Sequence, residues 1–253
     1  MAYSNQSGGA HVTDRVAKGN RVVIAVDGPA GAGKGAVCRA VARELGLAYL
    51  ETGAIYRALG LLTVREALAD AQIVARATSM PFAYRAQDGG NFRAWLADED
   101  VTEALRAETI GQAASRIAAM PAVRQALLSF QRLYGGQSHL ILDGRDVGTI
   151  VWPDADLKIF LTASLQERAS RRVRELQGMG KNASFSEVYA AMAERDHRDA
   201  GRSTAPLQAA EDAVLVDTTT LTLEESIKQV LHLVKNTLNQ AEFTCRESLA
   251  GSR

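Results

Sequence analysis

The stretch that most constrains the fold is "RVVIAVDGPAGAGKGAVCRAVAREL", residues 21–45. A short apolar, β-branched run leads into a glycine-rich turn, and apolar residues at helical spacing follow until Gly46. A strand without polar alternation is buried on both faces, which is the habit of parallel sheets. Four further short apolar runs, "LAYLE" (47–51), "HLILD" (139–143), "LKIFL" (157–161) and "AVLVD" (213–217), alternate with helical patterns. Helix starts are marked by Ser164 with Glu167, by Thr222 with Glu225, and by Thr52 as a candidate cap. Five strands alternating with helices imply an α/β fold, a parallel sheet with helices on both faces. Ligands of such sheets bind at the carboxyl ends of the strands.

One segment breaks this rhythm. "PFAYRAQDGGNFRAWLADEDV" (81–101) carries aromatics on either side of Asp88-Gly89-Gly90, the signature of a hairpin. It reads equally as a surface ornament or as a small subdomain shaping a pocket.

The glycine turn has the spacing Gly-x4-Gly-Lys, which chance alone supplies in about one chain in ten of this length. Its context is more specific, because a buried strand precedes it and a helix begins at its end. Gly28, Gly31, Gly33 and Gly35 let the backbone wrap an anion with its amides inward. The helix N-terminus and Lys34 add positive charge, so the loop reads as a phosphate site. In many such loops the residue after the lysine is a hydroxyl that ligates magnesium. Here it is Gly35. Magnesium would therefore be held by nucleotide phosphates and water, with Asp143 at the end of "HLILD" behind it. The alternative for Asp143 is a turn or cap residue before Gly144.

The formal net charge is zero, from 29 basic and 29 acidic side chains, which argues against a general nucleic-acid or membrane-surface binder. An anionic ligand must then be held by clustered cations, and three arginine clusters are present. "ETGAIYR" offers Thr52, Tyr56 and Arg57; "DGRD" offers Arg145 and Asp146; "RDHRDAGR" offers Arg195, Arg198 and Arg202 with Asp196 and Asp199. Helical spacing puts the last three arginines on one face if the helix persists. The arginine fork suits phosphate oxygens, and phosphoryl transfer needs such charge around the moving group. Two cysteines are too few for a disulfide framework or a zinc site, which fits a reducing cytoplasm. No apolar run approaches a bilayer span, and residues 1–20 lack the apolar core of a secretory signal. Residues 1–20 read as a flexible leader and 237–253 as a flexible tail around a single domain, 21–236.

"VDGPAGAGKG", "ETGAIYRALG", "DGRDVGTIVWPDADLKIFLTAS", "ERDHRDAGR" and "APLQAAEDAVLVDTT" together resemble the bacterial cytidylate (CMP/dCMP) kinases. The likeness runs in order from about Val22 to Lys235. It implies a three-layer P-loop nucleoside monophosphate kinase fold: a five-stranded parallel sheet, an antiparallel NMP-binding insert near 81–103, and a helical lid near 170–205. The implied reaction is ATP-dependent phosphorylation of CMP and dCMP with Mg2+, by a cytoplasmic monomer.

The resemblance also implies roles. Gly28, Pro29, Ala30, Gly31, Ala32, Gly33, Lys34, Gly35 and Ala36 would hold ATP, and Arg57 and Arg145 the acceptor's phosphate. Thr52 and Tyr56 would line the CMP site. Ser115, Arg124 and Asp146 match the residues that read the cytosine edge, and Arg195 and Asp199 lie near the pentose. Lys34, Arg145, Arg198 and Arg202 would stabilise the moving phosphoryl group as the lid closes and excludes water. Some positions depart from the family pattern: Ala36 replaces a threonine, Thr52 a serine and Glu51 an aspartate, and serine is also common where Ala30 stands. Ala36 lacks a hydroxyl that would meet a nucleotide phosphate, so the alternative is a degenerate nucleotide-binding or regulatory protein without turnover. AMP or UMP as acceptor is disfavoured by the Ser115, Arg124 and Asp146 set.

Overall fold

A computed structural model describes residues 21–86, 92–133 and 139–250. The leader 1–20, the Asp88-Gly89-Gly90 turn and the last three residues of the tail lie outside the described residues.

Five strands form the main sheet: β1 (Val23–Asp27), β2 (Ala48–Glu51), β6 (Leu140–Asp143), β7 (Leu157–Thr162) and β8 (Val214–Asp217). All pair in parallel, in the order β2-β6-β1-β7-β8. The five apolar runs of the sequence are these five strands. Alternation of side chains across β1 feeds two cores. Ile24 and Val26 pack with Val37, Cys38 and Val41 of α1 (Lys34–Leu45) and with Val230 and Val234 of α8 (Leu223–Ala250). Val23 and Ala25 face the other way, toward Leu140, Leu142 and the Val147 and Val151 side chains of a short π-helix, Val147–Val151.

A third core builds the rest of the body. It joins α2 (Thr52–Arg65), α3 (Asp70–Thr78), α4 (Glu108–Ile117) and α5 (Pro121–Leu133) to a small antiparallel sheet. That sheet is β3 (Phe82–Ala86), β4 (Phe92–Leu96) and β5 (Glu99–Asp100), with Phe82 opposite Leu96 and Ala86 opposite Phe92. Its inward residues Phe82, Ala94 and Leu96 are buried against α2 and α5, so the insert shares the domain's apolar interior.

Two helices, α6 (Leu165–Gly178) and α7 (Phe185–Ala200), pack on each other. They reach the loops after β1 and β6 through Arg168, which donates to Ala30 O, and Asp199, which accepts from Arg145. Ser164 caps α6 by accepting from the Glu167 amide, but Glu167 turns outward to Arg171 and Arg174, so only half of a capping box forms. Thr222 and Glu225 form the complete box at the start of α8. That helix continues to Ala250, through most of the segment read from sequence as a flexible tail.

Candidate active site

The phosphate loop, residues 28–33, leaves the end of β1 and turns directly into α1. Gly28 has φ 146°, and a Cβ there would stand 1.9 Å from the Leu161 carbonyl oxygen of β7. Only glycine lets the loop pass that close to the neighbouring strand. Gly33, with φ 94°, makes the left-handed turn into Lys34. The first helical amide with an acceptor in the turn is that of Val37, which donates to Gly33 O at 3.0 Å. The amides of Lys34, Gly35 and Ala36 have no intrahelical partner and form the positive end of the helix. Lys34 is buried and donates to Gly28 O at 2.7 Å and Pro29 O at 2.9 Å. Burial disfavours its charged form, and Arg145 adds like-charge repulsion, so its pKa is lowered. A polyphosphate in the loop would restore that charge.

Behind the loop lies Asp143, at the carboxyl end of β6 and in register with Val26 and Glu51. It is buried, and Tyr49 donates to its Oδ1 at 3.0 Å. Burial first, and Glu51 second, push its pKa up, while Lys34 opposes them. Thr52 is not the helix cap expected from its position. The helix begins at Thr52 itself, with Glu51 in the cap position and no side-chain cap. Its hydroxyl instead donates to the Asp143 carbonyl at 2.8 Å, tying the start of α2 to the end of β6.

The predicted arginines converge over the strand ends. Arg145 donates through Nε to Asp199 at 3.1 Å, and Arg202 donates to the other oxygen of the same carboxylate. Asp199 is buried, so it anchors one arginine from the turn after β6 and one from the end of α7. Arg202 lies beyond the helix, which stops at Ala200, yet this pairing keeps it turned inward. Arg198 donates to Ser115 Oγ at 3.1 Å, linking α7 to α4. Arg124 of α5 pairs with Asp146, donates to Ala118 O at 3.2 Å and lies 5.5 Å over the Tyr56 ring. Arg57 donates to Leu105 O at 2.7 Å. Arg195 differs: its Nε is buried without a hydrogen-bond partner among the described residues. Burial and then the Arg145 charge push its pKa down to about 10. Asp196, grouped with these residues in the sequence, points elsewhere and accepts from Arg168 at 2.6 Å.

The cytidylate kinase family model matches residues 24–236. The chain belongs to the cytidylate kinase family. A cytidylate kinase of Magnetococcus marinus is 54% identical over 221 residues, covering 87% of this chain and 98% of that protein. One from Saccharophagus degradans is 46% identical over 218 residues, covering 85% of this chain and 97% of its own. A third, from Aeromonas salmonicida, is 44% identical over 222 residues, covering 87% and 96%.

Within this cytidylate kinase framework, three residues in the site escaped the sequence reading. Tyr49 fixes the Asp143 carboxylate, and only its alternation along β2 could have suggested it. Arg168 is buried in α6 and donates to Ala163 O, Ala30 O and Asp196, so it fastens the phosphate loop to α7. It was hidden in a run of charged residues that reads as a solvated helix face. Asp27, the last residue of β1, is also buried, and its carboxylate accepts from Val147 N at 2.8 Å and Gly148 N at 2.7 Å. An acid ending an otherwise apolar strand was the available signal.

Proposed function

We propose that this cytidylate kinase transfers the γ-phosphoryl group of ATP to the phosphate of CMP or dCMP, giving ADP and CDP or dCDP. The observation that carries the reading is Arg195, a half-buried residue whose buried Nε has no hydrogen-bond partner among the described residues, within electrostatic reach of Arg145 and Arg57. Three cations that repel one another make a site whose missing component is an anion, and the phosphate of a nucleoside monophosphate fits that charge.

The acceptor's phosphate has a second pKa of about 6, so near neutral pH its attacking oxygen is already deprotonated. The site then needs cations rather than a general base. An oxygen of the CMP phosphate attacks the γ-phosphorus in line as the bond to the bridging oxygen of ADP breaks. Charge developing on the transferring oxygens is met by Lys34, Arg145, Arg198 and Arg202, and the amides of residues 28–36 orient the donor. With α6 and α7 tied to the loops after β1 and β6, water is excluded as a competing acceptor.

Base choice rests with Asp146 and Arg124, which are held against each other. The cytosine amino group donates to the Asp146 carboxylate, whereas the uracil oxygen at that position meets it acceptor to acceptor. Arg124 donates to the remaining acceptors of the cytosine edge, with Ser115 beside it.

The donor set suits magnesium carried by ATP. No group of three or more histidine, cysteine or acidic side chains able to hold a metal occurs among the described residues. A single carboxylate, Asp143, stands behind the loop with one oxygen engaged by Tyr49, and a metal-bound water would meet the other. When bound, Mg2+ would supply positive charge that offsets the charge of the ATP phosphates. A coupled ADP-release assay with CMP, dCMP, UMP and AMP as acceptors tests the reading. Turnover is expected on CMP and dCMP, and equal or faster turnover on AMP would overturn the base assignment.

A further inference from the structure

The π-helix at Val147–Val151 opens directly after Arg145 and Asp146, the pair proposed to hold the acceptor. Its first amides need acceptors, and the residue at its own N-cap position, Asp146, makes no side-chain cap. The cap comes from another strand. Asp27 Oδ1 accepts from Val147 N at 2.8 Å and Asp27 Oδ2 from Gly148 N at 2.7 Å, all within a buried environment. On its other side, Asp27 is joined by one peptide bond to Gly28, the first residue of the donor loop. The main chain reinforces the link, since Gly144 N donates to Val26 O at 3.0 Å. A Cβ on Gly148 would meet Asp27 Oδ2 at 3.4 Å, an ordinary contact, and Lys158 Cδ at a tighter 3.2 Å.

We infer that Asp27 is a positioning residue for phosphoryl transfer: by capping the π-helix from the foot of the phosphate loop, its carboxylate fixes the distance and orientation of the acceptor-holding Arg145–Asp146 turn relative to the donor. Two rigid bonds to adjacent amides define a plane as well as a point. That geometry holds two loops in mutual register and touches neither substrate. The groups proposed to touch substrate are other residues, the donor's at 28–36 and the acceptor's at Arg145 and Asp146 and on α2, α4, α5 and α7. Removal of the clamp therefore acts on alignment more than on binding. A misplacement of about 1 Å at the reacting centre costs on the order of 100-fold in rate.

The inference rests on the proposed transfer reaction, and the two fail separately. Wild-type protein without turnover removes the reaction, whereas an active wild type with an indifferent Asp27 variant removes only the clamp. The test is Asp27→Asn, which keeps shape but offers one acceptor oxygen and sets an NH2 against one of the two backbone amides. Steady-state kinetics, equilibrium binding of CMP alone and thermal unfolding are measured together. The expected result is a fall in kcat of about 10- to 100-fold per folded molecule, with KM for ATP and CMP and the affinity for CMP within about threefold of wild type. A part that merely supports the fold would lower the unfolding midpoint and leave kcat per folded molecule unchanged, and that result overturns the inference. If Asp27→Asn does not fold, Asp27→Glu keeps both acceptor oxygens but lengthens the arm that holds the clamp. It is expected to lower kcat with KM retained, and an unchanged kcat there overturns the inference equally.

Discussion

Replacing Ala36 with threonine restores the one hydroxyl that the phosphate loop lacks, and the structure sets the scale of the effect. Ala36 sits half-buried in the first turn of α1, among the three amides without an intrahelical acceptor. Its amide remains available to a phosphate, so the missing side chain should weaken ATP binding and not abolish it. A hydrogen bond to a charged group is worth roughly 1.5–3 kcal/mol, which corresponds to about a 10- to 100-fold change in an equilibrium constant. The opposing cost is the poorer helix propensity of threonine, about 0.5 kcal/mol, or about 1–2 °C in the unfolding midpoint of a domain this size. The gain in ATP handling therefore exceeds the loss of stability. In a coupled ADP-release assay at saturating CMP, Ala36→Thr is expected to lower KM for ATP by about tenfold or more. KM for CMP should stay as it was. If neither turnover nor ATP affinity changes, the account of the loop is wrong.

Arg198→Met removes a cation proposed to meet charge that develops in transfer, so kcat should fall by roughly 100-fold or more while CMP binding by calorimetry changes little. A loss confined to CMP affinity would reassign the residue to substrate binding. Asp199→Asn leaves Arg145 and Arg202 facing a neutral group in a buried position, at a cost of about 3–5 kcal/mol, and an unfolding midpoint equal to wild type would contradict that pairing. Burial pushes the Asp27 carboxyl up to about 6 from 3.8, so the folded protein holds this proton more tightly than the unfolded chain. The group's contribution to stability is present in full below about pH 4 and is lost as pH rises through about 6, up to about 3 kcal/mol. Denaturant unfolding from pH 4 to 7 should show a steeper fall for wild type than for Asp27→Asn, and parallel curves would refute the assignment.

The parallel sheet was legible because short apolar runs without polar alternation recur between helical patterns, and all five became strands, although the edge strand β8 leaves Val214 and Leu215 exposed. The phosphate loop was legible because its glycines serve backbone geometry, which leaves a fixed spacing. Helix starts were read less well. A threonine before a helical pattern has several uses for its hydroxyl, and Thr52 spends its own on the Asp143 carbonyl instead of on a cap. Ser115 and Arg124 carried no signal of their own in periodicity or spacing, since each looks like ordinary helix surface until α4 and α5 bring them to Arg198 and Asp146. The buried linkers Asp27, Tyr49 and Arg168 were missed for a common reason. Their partners lie in distant segments, and the local signals two of them carry, an acid ending an apolar strand and a tyrosine alternating along β2, do not name those partners.

The central claim is transfer itself, and the most direct measurement follows the label from ATP carrying a marked γ-phosphate. Incubated with this protein, Mg2+ and CMP, the mark is expected in the β-phosphate of CDP, with one ADP formed for each CDP. Bound CMP without any labelled CDP would contradict the account and leave a nucleotide-binding protein in place of a kinase.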